Sequence, residues 1–338
     1  MINKKITFTV FIPCYGKCSY LEKTIESLLD QDYELDIVLC PQGDTDISKI
    51  TEKYPFIRTL RLEKPSLYKA RIFLFNQSNS DYIYYLDDDD ILPLGLFKYV
   101  SKIIEQTNYL DLYRIPLKTF QNDFWNENFR EQNYQYDYSL ETKEDFLSKC
   151  FDGTYHNGVV HLFIKNCLSP EWFDVDIFQT EDRLITFSIA NSVNSKICII
   201  KDAYYLYRKY PSSHSKTLNL LKGRDDFITA NNCLKKYMNT RDLIFNSYAI
   251  ILRVISYLKL LATEKKLKKE SFLEIYSNND IWFYLKLFIE NYSLYKKIAG
   301  KFVSIITKKI YKKRYNATKL LILIKCAWEK IKYGKVEF

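Results

Sequence analysis

The chain has 338 residues, 47% hydrophobic and 27% charged, enough for one large folded domain or a domain with a smaller appendage. Eight Gly and eight Pro exclude collagen-like or Gly/Pro-rich disordered sequence, and 29 Tyr, 22 Phe and 4 Trp supply apolar surface to oppose chain entropy. The formal charge of +9 sits at one end: residues 291–338 carry 13 Lys/Arg against Glu329 and Glu337, a local net of +11, so residues 1–290 sum to −2. That asymmetry argues against a nucleic-acid binder using its whole surface. It predicts a local basic patch for phosphates or an anionic membrane.

In chain order, Ile6 to Ile12 is a β-branched and aromatic run that reads as a buried strand ending at Pro13. Leu21, Ile25, Leu28 and Leu29 then recur at helical spacing, with Ser19 expected as N-cap and Glu22 as its capping-box partner. A strand at Asp36 to Cys40, a helix from about Ile47 to Tyr54, a strand at Ile57 to Leu62, a helix at Tyr68 to Asn76 and a strand at Tyr82 to Leu86 follow. Strands alternating with helices at short spacing predict an α/β fold with a mostly parallel sheet and helices on its faces. Ligands in such sheets bind beyond the carboxyl ends of the strands, which directs attention to Pro13–Gly16, Pro41–Asp46, Lys69–Arg71 and Asp87–Asp90.

Asp87, Asp88, Asp89 and Asp90 follow the strand YIYYL directly. Four adjacent carboxylates repel one another unless a cation or hydrogen bonds offset the charge, and clustered carboxylate oxygens are the ligand set of a hard divalent ion, Mg²⁺ or Mn²⁺. The plainer reading is a solvated turn with Asp90 capping a helix that starts near Ile91. After a helix near Lys143 to Lys149 and an apolar segment Val159 to Ile164, Glu181 and Asp182 open another helix. They are either dipole-stabilised capping acids or a general base presented at a cleft.

Cysteine and histidine offer less. The opening segment MINKKITFTVFIP has no long apolar core or small-residue cleavage site, so the eight cysteines are expected to be reduced, in a cytoplasm. Cys14 and Cys18 have no second Cys pair at finger spacing, so a structural zinc is not expected and each cysteine is read as a small buried hydrophobe. His156 and His161 are five apart, off the metal pairing of a helix, and His214 is read as a surface residue.

Four separated segments, in order, resemble the family 2 glycosyltransferases, nucleotide-sugar-dependent enzymes of the GT-A fold, over roughly residues 6–218. FTVFIPCYGKCSYLEKTIESLLDQDY resembles the opening strand, Pro-x-Tyr turn and helix. KARIFLFNQSNSDYIYYLDDDD resembles the Ala-Arg element and Asp-x-Asp metal motif. HLFIKNCLSPEWFDVDIFQTEDRLITFSI resembles the acceptor segment with its Glu-Asp base motif, and YYLYRKYPSSHS resembles the segment that closes the domain. The resemblance implies an inverting, metal-dependent transfer of one sugar from a nucleotide-sugar donor to a hydroxyl of a glycan or lipid-linked acceptor in bacterial surface polysaccharide synthesis. It implies Asp182 as general base beside Glu181, Asp87 and Asp89 as metal ligands, and Asp87 or Asp88 near the ribose. Pro13 and Tyr15 would line the base pocket, Arg71 would approach the nucleotide or diphosphate, and Arg208 and Lys209 would add positive charge nearby.

The chain departs from the family pattern after its second strand, where Pro41, Gln42, Gly43, Asp44, Thr45 and Asp46 replace the usual pair of acids; Gln42 or Asp44 would substitute, with uracil the expected base. No Gln-x-x-Arg-Trp motif of processive synthases is present. The Tyr-rich stretch Asn133 to Tyr138 is a candidate acceptor groove.

From about Asp226 the pattern is helical, giving a division into a catalytic domain over 1–218 and a helical region over 219–338. Ile250, Ile251, Val254, Tyr257, Leu258 and Leu261 share one face. The best candidate for a membrane span, Tyr248 to Ala262, is interrupted by Arg253 and Lys259. The last segments alternate apolar stretches with Lys pairs, which suits either helices lying on an anionic membrane at the inner cytoplasmic face or a packed subdomain with solvated lysines. A competing reading is a GT-A-like module that has lost catalysis and binds membrane or nucleic acid through this tail, although no nucleic-acid partner is expected. Nucleotidyl transfer would need a Gly-rich loop near the first strand, which PCYGKCS is not.

Overall fold

The computed structural model describes residues 5–121, 130–156, 158–209, 220–291 and 300–333. The chain divides into two compact units, Met1–Thr217 and Leu218–Phe338.

The first unit is built on an eight-stranded sheet of order β3-β2-β1-β4-β8-β5-β9-β7. Its strands are β1 (Phe8–Cys14), β2 (Leu35–Pro41), β3 (Arg58–Thr59), β4 (Tyr82–Tyr85), β5 (Leu112–Arg114), β7 (Tyr138–Glu141), β8 (Leu162–Lys165) and β9 (Ile197–Ile200). All run in one direction except β8 and β7. β1 is central, paired in parallel with β2 on one side and β4 on the other, and every one of its residues is buried. A strand covered on both faces reads as an uninterrupted apolar run, as FTVFIPC does. It continues past Pro13 to Cys14, contrary to the expected stop, because the Gln42 N–H donates to the Cys14 carbonyl at 3.0 Å and carries the pairing beyond the proline. A second, two-stranded parallel ribbon joins β6 (Leu117–Gln121) to β10 (Tyr205–Lys209).

The helices of this unit are α1 (Leu21–Leu29), α2 (Ser48–Lys53), α3 (Leu67–Phe75), α4 (Leu96–Gln106), α5 (Lys143–Phe151) and α6 (Glu181–Ser192). α1 buries Leu21, Ile25 and Leu28 as its spacing predicts, but Leu29 lies outside. Its N-cap is Tyr20, not Ser19, and no side chain caps it; Glu22 pairs with Lys53 instead of closing a capping box. α4 begins at Leu96, after Gly95 at φ 70°, and not near Ile91. Pro93 is the cause, since it disfavours helical geometry at Leu92. The freed stretch runs across to the ribbon, where the Ile91 N–H donates to the Leu206 carbonyl at 3.3 Å.

The second unit is helical: α7 (Leu220–Leu234), α8 (Thr240–Thr263), α9 (Lys269–Ser277), α10 (Asn279–Glu290), α11 (Gly300–Tyr311) and α12 (Tyr315–Tyr333). α8 is the hub, touching α7, α10 and α12. Ile250, Ile251, Val254 and Leu258 from α8 meet Ile281, Tyr284, Leu285 and Phe288 from α10, with Ile306, Ile310, Ile322 and Cys326 from the last two helices closing the core. By length and composition Phe245–Thr263 could cross a membrane, with a mean hydropathy of 1.3, yet 50% of that window is buried inside the protein. Lys259 on it is matched by Glu329 of α12, 2.9 Å away. The packed-subdomain reading of the tail therefore describes Ile306, Ile310, Ile322 and Cys326, while Lys308, Lys312, Lys313 and Arg314 remain exposed.

Candidate active site

The carboxyl ends of β1, β2 and β4 bring the predicted segments together, and α3 and α6 supply the rest. Arg71, on the buried face of α3, has a side chain only 1% exposed. Its guanidinium contacts three carboxylates: Asp87 at 2.8 Å, Glu181 at 3.5 Å and, through the same nitrogen as Glu181, Asp182. Burial opposes its charge, but Asp182, Asp87 and Glu181 more than offset that and hold it protonated. The Tyr85 hydroxyl fixes the backbone beneath by donating to the Arg71 carbonyl at 2.6 Å. Arg71 thus lies inside the predicted site, but its terminal nitrogens face carboxylates.

Glu181 and Asp182 open α6 at a strained position. Thr180, the N-cap, has φ 66°, a left-handed conformation uncommon for a β-branched residue. Glu181 is buried, which with the neighbouring Asp182 charge pushes its carboxyl up to about 8 against the pull of Arg71. Asp182 keeps about a third of its side chain accessible (33%), as Asp87 does (32%). A proton acceptor needs that access, and Asp182 has it.

The four aspartates divide in function. Asp90 is fully buried, accepting from the Tyr205 hydroxyl at 2.5 Å and the Arg208 N–H at 2.6 Å, so it ties the loop to β10 and caps no helix. Asp87, Asp88 and Asp89 stay partly accessible. Desolvation raises Asp87 to about 6 despite Arg71, and raises Asp88 well above the usual carboxylate range. Partly accessible, mutually repelling oxygens at a strand end fit a hard divalent ion, with Asp87 and Asp89 the residues that would hold it. Arg208 is buried between the Tyr20 and Phe120 rings, and its Nε donates to the Asp89 carbonyl at 2.6 Å. It therefore braces the aspartate loop from below, whereas Lys209 is exposed.

On the nucleotide side, Pro13 is buried within β1 and Tyr15 is exposed beyond it. Gln42 is buried; its Oε1 accepts from the Ser66 N–H at 2.9 Å, which fixes the amide orientation and leaves a buried Nε2 donor without a partner. Asp44 is exposed. Between them Gly43 adopts φ 54°, and a Cβ there would meet Pro65 Cγ at 2.7 Å, so this loop requires glycine. Arg61 clamps it from below through the carbonyls of Gly43 and Thr45.

Tyr205 is the site residue that sequence reasoning missed. It bonds Asp90, its ring lies against His161, and only its place in YYLYRKYPSSHS, the segment that closes the domain, hinted at it. His161 is buried and held neutral by desolvation, and it hydrogen-bonds His156 at 3.3 Å, so this histidine pair is structural. Among the cysteines, Cys167 is exposed and Cys18 and Cys233 are half-buried, which corrects the expectation that all eight are buried; all eight are free. His214 and the YPSSHS end of the segment that closes the domain lie outside the described residues, as do residues 122–129.

The sequence profile of Glycosyl transferase family 2 matches residues 9–162, which span β1 through the Asp-x-Asp loop to the start of β8. The N-terminal unit belongs to glycosyl transferase family 2. The chain is 23% identical over 296 residues to the glycosyltransferase GlyG of Streptococcus pneumoniae serotype 4, covering 83% of this chain and 96% of that protein. It is 28% identical over 120 residues to the minor teichoic acid biosynthesis protein GgaB of Bacillus subtilis, covering 32% of this chain but only 13% of GgaB. The crystal structure of S. aureus TarS 1-349 in complex with UDP-GlcNAc superposes with a TM-score of 0.65 at 17% identity, over 98% of this chain and 93% of that one, which shows a shared fold.

Proposed function

We propose that the protein is an inverting, metal-dependent glycosyltransferase that moves one sugar per encounter from a UDP-sugar to a hydroxyl of a glycan or lipid-linked acceptor in bacterial surface polysaccharide synthesis. The observation that carries the reading is the Arg71 bridge, which holds the donor-side Asp87 and the acceptor-side Asp182 on one buried guanidinium. The unpartnered Gln42 donor supports a base that presents a carbonyl acceptor, as uracil does. The complexes of TarS with UDP and UDP-GlcNAc support the same donor class, and the teichoic acid role in the name of GgaB supports the acceptor class.

In this account Pro13, Tyr15 and Gln42 seat the base, and Asp88 meets the ribose. Asp87 and Asp89 would hold a divalent ion, Mn²⁺ or Mg²⁺, whose chemistry is to neutralise the departing diphosphate. Asp182 takes the acceptor hydroxyl proton as the oxygen bonds to the anomeric carbon from the face opposite the diphosphate, and the sugar–diphosphate bond breaks with its electron pair leaving on the phosphate oxygen. Glu181 and Arg71 position Asp182. Exposed Lys308, Lys312, Lys313 and Arg314, with exposed Ile305, Leu320 and Leu323, support contact with an anionic membrane that carries the acceptor.

The test is Asp182→Asn, assayed by UDP release in the presence of acceptor and by UDP binding. Turnover is expected to fall on the order of 10²- to 10⁴-fold with UDP binding retained. Equal turnover in the variant removes Asp182 from the role of base.

A further inference from the structure

We propose that Cys14, Cys18 and Asp88 form a binding site for a thiophilic divalent cation, Zn²⁺ in a biological setting, at the edge of the candidate donor cleft. The two thiol sulfurs and a carboxylate oxygen lie within 4.8 Å of one another. This site is distinct from the Asp87 and Asp89 pair in its chemistry: two sulfurs select a soft or borderline ion, whereas an all-oxygen set suits Mg²⁺ or Mn²⁺.

The backbone explains how residues so spaced converge. Cys14 is the last residue of β1, with its side chain buried. The chain then turns through Gly16 at φ 77° and Cys18 at φ 44°, two left-handed residues that fold Cys18 back over Cys14. A left-handed backbone is uncommon for a cysteine, and it persists here because the surrounding loop imposes it. Asp88 lies in the loop that follows β4, the parallel neighbour of β1, and its Oδ2 accepts from the Tyr15 N–H at 3.4 Å, so it meets the same turn. Neither thiol is oxidised to a disulfide, so both sulfurs are available as ligands.

Tetrahedral zinc with Zn–S bonds of about 2.3 Å and a Zn–O bond of about 2.0 Å sets its sulfurs about 3.8 Å apart and sulfur and oxygen about 3.5 Å apart, so closing this cluster onto an ion takes movements of about 1.3 Å at most. As the ion bonds the two sulfurs, each thiol proton leaves to solvent. Three protein ligands leave a fourth position for water, the arrangement of an open zinc site. Because Asp88 also belongs to the proposed ribose contact, an ion here and the donor would compete for one carboxylate. That consequence rests on the proposed function; the binding itself does not.

The test uses Co²⁺ as the optical probe with the full-length, reduced protein under anaerobic conditions. One Co²⁺ per chain is expected, with a thiolate-to-metal charge-transfer band that one equivalent of Zn²⁺ abolishes and excess Mg²⁺ leaves unchanged. Cys18→Ser should weaken Co²⁺ binding at least 100-fold and remove most of the band; Cys18→Ala serves equally should the serine variant fold poorly. Asp88→Asn should weaken binding about tenfold and leave the band. Absence of a thiolate band, a band unchanged in the Cys18 variants, or its loss to Mg²⁺ overturns the proposal. The readout is optical, so a protein inactive in sugar transfer still decides it.

Discussion

Arg71 on α3 and Asp182 at the start of α6 are joined by a direct ion pair although 111 residues separate them, and the same guanidinium reaches back to Asp87. One buried cation thereby fixes the spacing between the aspartate loop and the candidate base. The site's geometry is in this sense an electrostatic consequence of a single side chain.

Removing that cation would leave the Asp87 and Asp182 carboxylates facing one another beside the buried Glu181 carboxyl. Arg71→Met is expected to cost about 3–5 kcal/mol of stability by urea unfolding, the penalty for uncompensated buried charge. Arg71→Lys should fall between it and the native protein, because an ammonium keeps the charge but cannot fork between partners. A methionine variant within about 1 kcal/mol of the native protein would contradict the bridge as described.

Glu181 makes stability depend on pH with a definite sign. Burial holds its carboxyl at about 8 in the folded protein against an ordinary value near 4.5, with Asp182, Asp87 and Arg71 as the charges that face it. The folded state holds the proton where the unfolded state has released it, so the stabilisation is full below about 4.5 and is lost as pH rises to about 8. Asp87, raised to about 6, adds a slope of the same sign lower down. In Glu181→Gln, melting temperatures between pH 6.5 and 8.5 should decline less than in the native protein. Parallel declines would remove Glu181 as the cause.

The exposed cations of α11 and its following turn give the membrane reading a test of its own. Replacing Lys312, Lys313 and Arg314 by Ala should weaken binding to phosphatidylglycerol vesicles on the order of 100-fold, at about 1 kcal/mol per charge. Undiminished binding by the triple variant, or equal binding to neutral vesicles, would refute the electrostatic contact.

Much of this was legible in sequence where the signal is local. Apolar runs located β1, β2 and β4, and the acids after YIYYL and before RLITF were found because they interrupt such runs. What escaped depends on contacts across the sheet. Nothing near Arg71 announces Asp182 as its partner. Asp90 resembles an N-cap until Pro93 delays α4 and turns its carboxylate to Tyr205. Cys14 and Cys18 lacked a second pair in sequence, and their third proposed ligand comes from the loop after β4, the neighbour of β1 in the sheet. The capping box at Ser19 failed because α1 starts after Tyr20, beyond the reach of Ser19.

The cleft beside Asp87–Asp89 is expected to bind a nucleoside diphosphate through a divalent ion, and calorimetric titration decides whether it does. UDP, CDP, GDP and dTDP are titrated with Mn²⁺ and then with EDTA. UDP is expected to bind, the other three to bind more weakly, and EDTA to abolish the heat. Absence of binding by all four, or UDP binding unaffected by EDTA, would contradict this expectation.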